Sequence, residues 1–303
     1  MVLSLASAQQ DLVNYGDKFF GNLHPIAPDD VFYKYWNQAT PENAGKWGSV
    51  EAVRDHMAWN ALDIIFRDAA ERDFPVKQHT FVWGQQEPRW LAELTPEEQY
   101  EEVLEWMAAF AERYPDVPMI DVVNEPLHAP PSYIEAIGGS GETGWDWVIW
   151  SFEQARVYFP EADLFLNEYN ILCCADERAR YAEIIQLLQE RDLIDGIGLQ
   201  AHGLNEVDPS VIQANLDAIA ELGLPIHISE FDINTWDDDK QRDLYASLFP
   251  IFWEHPAVEG VTLWGYRAGE TWLSDSYLID WFDEERPALT WVREYLEDSV
   301  SQP

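Results

Sequence analysis

The chain has 303 residues, a net charge of −38 and 47% hydrophobic residues. Only 18 Lys and Arg stand against 56 Asp and Glu, which excludes the basic patch needed for a nucleic-acid backbone and disfavours anionic membrane surfaces. No apolar run approaches the roughly 20 residues that span a bilayer.

So dense a negative charge predicts a strongly solvated surface whose self-repulsion is relieved by added salt. The two cysteines, Cys173 and Cys174, are adjacent. They permit no disulfide framework and make a poor zinc site. They read as two ordinary small residues near a loop, and a monomer with no metal or cofactor is expected. Residues 1–8 read MVLSLASA. Ala6-Ser7-Ala8 resembles a signal-peptidase site, although no basic segment precedes it. The expectation is a secreted protein whose signal peptide is absent or truncated, or a lead-in to a first helix.

Taken in chain order, the apolar segments read as strands over 19–23, 32–39, 76–83, 119–124, 164–168, 196–201, 226–231 and 261–266. Helical patterns cover 50–71, 96–114, 145–158, 176–190, 209–222, 240–253 and a terminal stretch at 288–298. Strands that alternate with helices argue for an α/β fold with a parallel sheet. No glycine-rich dinucleotide fingerprint follows the first strand. Polar and aromatic residues gather instead at the C-terminal ends of several strands, where barrel enzymes build their sites. The expectation is one (β/α)8 TIM barrel over 1–303, without a second domain. Fifteen Trp also fit a sugar-binding cleft, because pyranose rings present flat C–H faces. Many of them must nevertheless be core.

Two acidic motifs carry the chemistry. The run 120–126 (IDVVNEP) is an apolar strand ending in Asn-Glu-Pro, with Glu125 just before the proline that stops ladder pairing. The run 226–233 (IHISEFDI) is a second strand with Glu230 near its end. In a closed barrel both ends face one mouth. Paired carboxylates there suit glycoside hydrolysis, one protonated and the other ionised. Any single glutamate in so acidic a chain is more often a solvated loop residue.

From about 19 to 296 the chain resembles glycoside hydrolase family 10. The matching segments are TPENAGKW (40–47), HTFVWGQQ (79–86), DVVNEP (121–126) and NEYNI (167–171). They continue with GLQAH (198–202), ISEFD (228–232), LWG (263–265) and ERPAL (285–289). The resemblance implies a retaining endo-β-1,4-xylanase acting on xylan and xylo-oligosaccharides. Glu125 would be the acid/base and Glu230 the nucleophile. Asn124 would hold the 2-hydroxyl, His202 would hydrogen-bond Glu230, and Asp232 would support His202. Glu42, Asn43, Lys46, His79, Trp83 and Gln86 would contact sugars on the glycone side, with Trp264 and Trp272 as walls. Gln200 would join the lining, and Tyr169 would lie toward the positive subsites.

The sequence departs from the family at Gly84, where His is usual, and at Ala268, where Asp is frequent. Arg267 is expected to supply a substitute contact. An endo-β-1,4-glucanase or mannanase on the same barrel, and a non-catalytic xylan-binding protein, are the alternatives; the second would be expected to lack one glutamate.

Overall fold

Six-residue runs such as Met119–Asn124 and Ile226–Phe231 are buried along their whole length. A strand achieves this only when covered on both faces, as in a parallel sheet wrapped by helices. The computed structural model describes residues 13–27 and 29–301. Its strands are β1 (Phe19–Leu23), β2 (Gln38–Thr40), β3 (Lys77–Val82), β4 (Met119–Asn124), β5 (Asp163–Glu168), β6 (Gly196–Ala201), β7 (Ile226–Phe231) and β8 (Val258–Leu263). The helices are α1 (Asp30–Tyr35), α2 (Trp47–Val50), α3 (Asn60–Arg72), α4 (Pro96–Arg113), α5 (Asp146–Tyr158), α6 (Ala175–Gln189), α7 (Pro209–Ala220), α8 (Asp238–Trp253) and α9 (Pro287–Ser301).

The strands run in the order β2-β1-β8-β7-β6-β5-β4-β3, all parallel. A single bridge, Ala39 to Val76, joins the two outer strands, with Ala39 N donating to Pro75 O at 3.0 Å. The sheet is therefore a nearly closed (β/α)8 barrel, as expected. The helix ends follow local chemistry. Thr95 and Glu98 form a reciprocal capping box, with Pro96 as the first residue of α4. Asp208 accepts from Ser210 N ahead of Pro209 in the same way.

Three expected elements differ. The segment 32–39 is not one strand: Asp29 accepts from Val31 N at 2.9 Å and starts α1, leaving β2 only three residues. Its aromatics, Phe32, Tyr33, Tyr35 and Trp36, pack as a helical face and not as a pleat. The expected helix over 50–71 begins only at Asn60. Glu51 accepts from both Trp47 Nε1 and Asp55 N, and Asp55 takes φ 62°, so these local bonds replace a helix. β8 spans Val258–Leu263 and stops short of 264–266, because Gly265 turns the chain at φ 100°.

One contiguous apolar cluster runs from Tyr15 to Leu296. Trp47, Trp106 and Trp59 form a stack within it, with centroids 6.2 and 5.9 Å apart. Many tryptophans are core, as expected. The expected signal-peptide remnant over 1–8 lies outside the described residues. No helix among the described residues is long and apolar enough to cross a membrane.

Candidate active site

Parallel pairing delivers the C-terminal ends of β4, β5, β6 and β7 to one barrel mouth. Asn124 pairs with Asn167, and Gln200 with Glu230. Register shifts occur in β4–β5 between Asp121 and Val123, and in β6–β7 between Leu199 and Gln200. Such irregularities re-aim side chains at the rim of a sheet. Glu125 follows β4 directly at φ 53°, a backbone region costly for a residue with a Cβ. It is pinned there because Glu125 N donates to Asn167 O at 2.8 Å, while Ala129 N donates to Glu125 O at 2.8 Å. Gln86 and Asn170, also at the mouth, share the left-handed region.

A cleft of about 480 Å³ opens over these strand ends. Both glutamates line it, 9% and 4% exposed for Glu125 and Glu230. A hydrogen-bond chain links them. Asn167 Nδ2 donates to Glu230 Oε1 at 2.7 Å and to Asn124 Oδ1 at 2.9 Å. Gln200 Nε2 reaches the same Asn124 oxygen at 3.1 Å and Glu125 Oε1 at 3.3 Å. Trp83 Nε1 donates to Glu125 Oε2 at 2.9 Å. Both carboxylates are thus fixed in direction before any ligand binds, which is how a site lowers its reorganisation cost.

His202 sits between two carboxylates. Its Nε2 is 3.0 Å from Glu230 Oε2 and its Nδ1 is 2.8 Å from Asp232 Oδ2. Burial opposes its charge, but Asp232 and Glu230 prevail and hold its pKa up to about 10. The ring is then a cation that donates from both nitrogens. Burial also opposes ionisation of Glu230. The His202 hydrogen bond and the fields of His79 and His202 outweigh it, so the Glu230 pKa lies below its ordinary value. The raised His202 pKa stabilises the fold fully below its unfolded value of 6.5, and that contribution is lost as pH rises through about 10. The expected result is an imidazole NMR signal for His202 that stays protonated through neutrality and titrates near pH 10. A midpoint near 6.5 would refute the ion pair.

The other wall is built from the first three motifs. Lys46 Nζ donates to Gln86 Oε1 at 2.7 Å and Asn43 Oδ1 at 3.2 Å, and lies 4.9 Å over the Trp83 ring. Gln86 Nε2 donates to Asn43 Oδ1 at 2.9 Å. Burial pulls the Lys46 pKa down against Glu230, Glu42 and Glu125, and pushes that of Glu42 up against Lys46 and His79. His79 is held from below by Asp121, 3.0 Å away. Trp264 packs against His79 at 5.3 Å and against His202 at 6.3 Å. Trp272 lies 4.9 Å from His202, and its Nε1 donates to Asp232 at 2.7 Å.

The fold therefore gathers Glu42, Asn43, Lys46, His79, Trp83, Gln86, Asn124, Glu125, Tyr169, Gln200, His202, Glu230, Trp264 and Trp272 around one cleft. Asp232 stands behind His202. Arg267 corrects the expectation: it does not line this cleft. It borders a separate hollow of about 210 Å³ behind Glu42 and Asn43. Its guanidinium is held by Asp29, at 2.7 and 3.0 Å, and by Asp283. Ala268 is also outside the lining; it is buried, and its N–H donates to Ile279 O at 2.9 Å. Gly84 is explained by close approach, since a Cβ there would sit 2.2 Å from Pro130 O. The Ala129–Pro130 backbone occupies the space a side chain would need.

Sequence reasoning assigned no role to Asn167, Asp121, Glu168, Gln85 or His128. Asn167 and Glu168 lie in the NEYNI segment, which was the available signal. Burial raises the Glu168 pKa to about 7 despite the facing His128, 2.9 Å away, and the N–H groups of Leu127 and Tyr169. His128 in turn stacks on Tyr169 at 4.1 Å. Among the described residues, one carboxylate group is compact enough to share a cation: Glu51, Asp55 and Glu102. It lies outside the cleft, and Arg54 Nε already donates to Glu102 at 2.7 Å.

Two oriented carboxylates in a tryptophan-walled cleft at the mouth of a barrel define the class of glycoside-cleaving barrel enzymes. Comparison with known proteins narrows the class. The family model described as Glycosyl hydrolase family 10 matches residues 15–295. The chain belongs to that family. Endo-1,4-beta-xylanase B of Cellvibrio japonicus is 42% identical over 280 residues, covering 91% of this chain and 45% of that protein. Endo-1,4-beta-xylanase A of Caldicellulosiruptor saccharolyticus is 30% identical over 302 residues, covering 89% of this chain and 86% of that one. The chain thus spans less than half of the first relative and most of the second. Native xylanase 10B from Thermotoga maritima superposes with a TM-score of 0.83 at 25% identity, covering 95% and 97% of the two chains. The family 10 protein from Paenibacillus barcinonensis shares the fold, with a TM-score of 0.84 at 24% identity over 97% and 98%.

Proposed function

We propose that this protein is a retaining endo-1,4-β-xylanase that hydrolyses internal bonds of xylan, with Glu230 as nucleophile and Glu125 as acid/base. The observation that carries the reading is the Glu230–His202–Asp232 array facing Glu125 across one cleft. His202 keeps Glu230 ionised and directs it. Glu230 attacks the anomeric carbon while protonated Glu125 gives its proton to the departing oxygen. Glu125, now a carboxylate, takes a proton from water, which displaces Glu230 and restores the β configuration. Asn124 holds the 2-hydroxyl, where hydrogen bonds strengthen as the oxocarbenium character develops. Glu42, Asn43, Lys46, His79, Trp83 and Gln86 bind the glycone, Trp264 and Trp272 wall it, and Gln200 ties Glu125 to the floor. Tyr169 receives the aglycone. This mechanism requires carboxyl groups about 5–5.5 Å apart.

The test is proton NMR of the first products from xylo-oligosaccharides, with xylan, carboxymethylcellulose and mannan compared in parallel. The β anomer should appear first, and xylan should be the preferred polymer. An α anomer as first product, or preference for either other polymer, rejects the reading.

A polymeric substrate too large to enter a cell fits a secreted, monomeric enzyme. The net charge of −38 fits a protein stabilised by salt. Its melting temperature should rise between low and molar NaCl, and a flat response in calorimetry would end the salt-adaptation reading.

A further inference from the structure

Four and five residues after Tyr169 stand the two cysteines, which the mechanism does not use. Cys173 and Cys174 are half-buried, and their sulfurs stand 2.8 Å apart. Most adjacent cysteines need side-chain rearrangement to meet; here the sulfurs already point at each other. A disulfide needs about 2.05 Å, so closure requires less than an ångström of travel.

We propose that Cys173 and Cys174 form a reversible vicinal disulfide that adjusts the Tyr169 subsite. Two routes connect the sulfurs to that ring. In the first, Cys173 N and Cys174 N both donate to Asn170 O, at 3.3 and 3.0 Å, and Cys173 Sγ lies 3.3 Å from the same oxygen. Asn170 is the left-handed residue directly after Tyr169. In the second, Cys174 caps α6, whose first turn carries Glu177. Glu177 lies 3.0 Å from His128 Nε2, and His128 stacks on Tyr169.

The bond would be strained. A trans peptide fixes consecutive Cα atoms about 3.8 Å apart. Ordinary disulfides span roughly 4.4–6.8 Å between Cα atoms. The eight-membered ring must therefore distort the Cys173–Cys174 peptide, whose N–H donates to Asn170 O. Strain of this kind makes a disulfide easier to reduce and so favours a reversible role over a structural one.

The oxidant is a small-molecule disulfide. Burial and then the adjacent Cys174 push the Cys173 thiol up to about 12; whichever thiol ionises opens the exchange and its neighbour completes it. One protein thiolate displaces one thiolate of the oxidant and forms a mixed disulfide. The neighbouring cysteine, losing its proton, displaces the second. Two protein thiols are oxidised, one disulfide reagent becomes two thiols, and the two protons pass to the released thiolates.

The experiment treats the reduced full chain with oxidised glutathione and follows intact mass and free thiols. The expected product is lighter by two hydrogens with no free thiol, and dithiothreitol restores both. A stable glutathione adduct, or two persisting thiols, overturns the disulfide. On oxidation, KM for xylo-oligosaccharides extending past the cleavage point should rise about fivefold, while kcat holds. Cys173→Ser and Cys174→Ser should each abolish the response to oxidant. Complete disulfide formation with unchanged KM overturns the coupling to Tyr169. The kinetic arm rests on the proposed xylanase activity, whereas the thiol count does not. Inactivity of the reduced chain on every xylo-oligosaccharide therefore rejects that activity and leaves the disulfide to be decided by mass.

Discussion

Replacing Glu230 by glycine is expected to lower xylan hydrolysis by about 10⁴-fold or more, because no other group can form the covalent bond to the sugar. The variant leaves Glu125, Asn124 and the tryptophan walls in place. Asn167 and His202 lose one acceptor each and retain Asn124 and Asp232. The fold should therefore persist, which circular dichroism would check. Azide can enter the space left by the carboxylate and attack from the same face. The product should be an α-linked glycosyl azide, inverted relative to the substrate. Activity within tenfold of the native enzyme, or a β-linked azide, would remove Glu230 from the nucleophile's role.

Glu125→Ala should separate the two halves of the reaction. Proton donation matters most when the leaving oxygen is basic, as in xylan. Loss of a general acid costs about 10²–10⁴-fold. An aryl xylobioside with an acidic phenol needs no such help, so its glycosyl-enzyme should still form. Water is then poorly activated, and the intermediate should accumulate as a burst of phenol. Added azide should release it as the β-linked azide. Equal losses on xylan and on the aryl substrate, with no burst, would move the acid/base role elsewhere.

The sequence made β4, β6 and β7 legible to the residue because each is a short segment rich in apolar residues with a polar residue at or next to its C-terminal end. The segment 32–39 misled because its aromatic residues suit a strand as well as a helix. What decided between them was the Asp29 cap and packing against Phe20 and Phe74. The loop over 51–59 was hidden for a related reason. Its helix-compatible residues are overruled by Glu51, which accepts from Trp47 and Asp55, four residues to either side, in a non-helical turn. Arg267 shows the limit of reading a site from motif position. It follows Trp264 closely in sequence, yet two acidic partners, one of them 238 residues away, draw it out of the cleft.

Sequence alone determined the barrel class, the acidic surface and the identity of both candidate catalytic glutamates. Those depend on residue type, apolar periodicity and local motif, all of which are chain-local. Tertiary structure decided which groups support them. Asn167, Glu168 and His128 acquire their partners only when strands distant in the chain are brought into register at one mouth. It also decided the charge of His202. That charge depends on two carboxylates within 3.0 Å outweighing the burial that opposes it, and electrostatic energy in a folded protein is set by distance and burial, not by order along the chain.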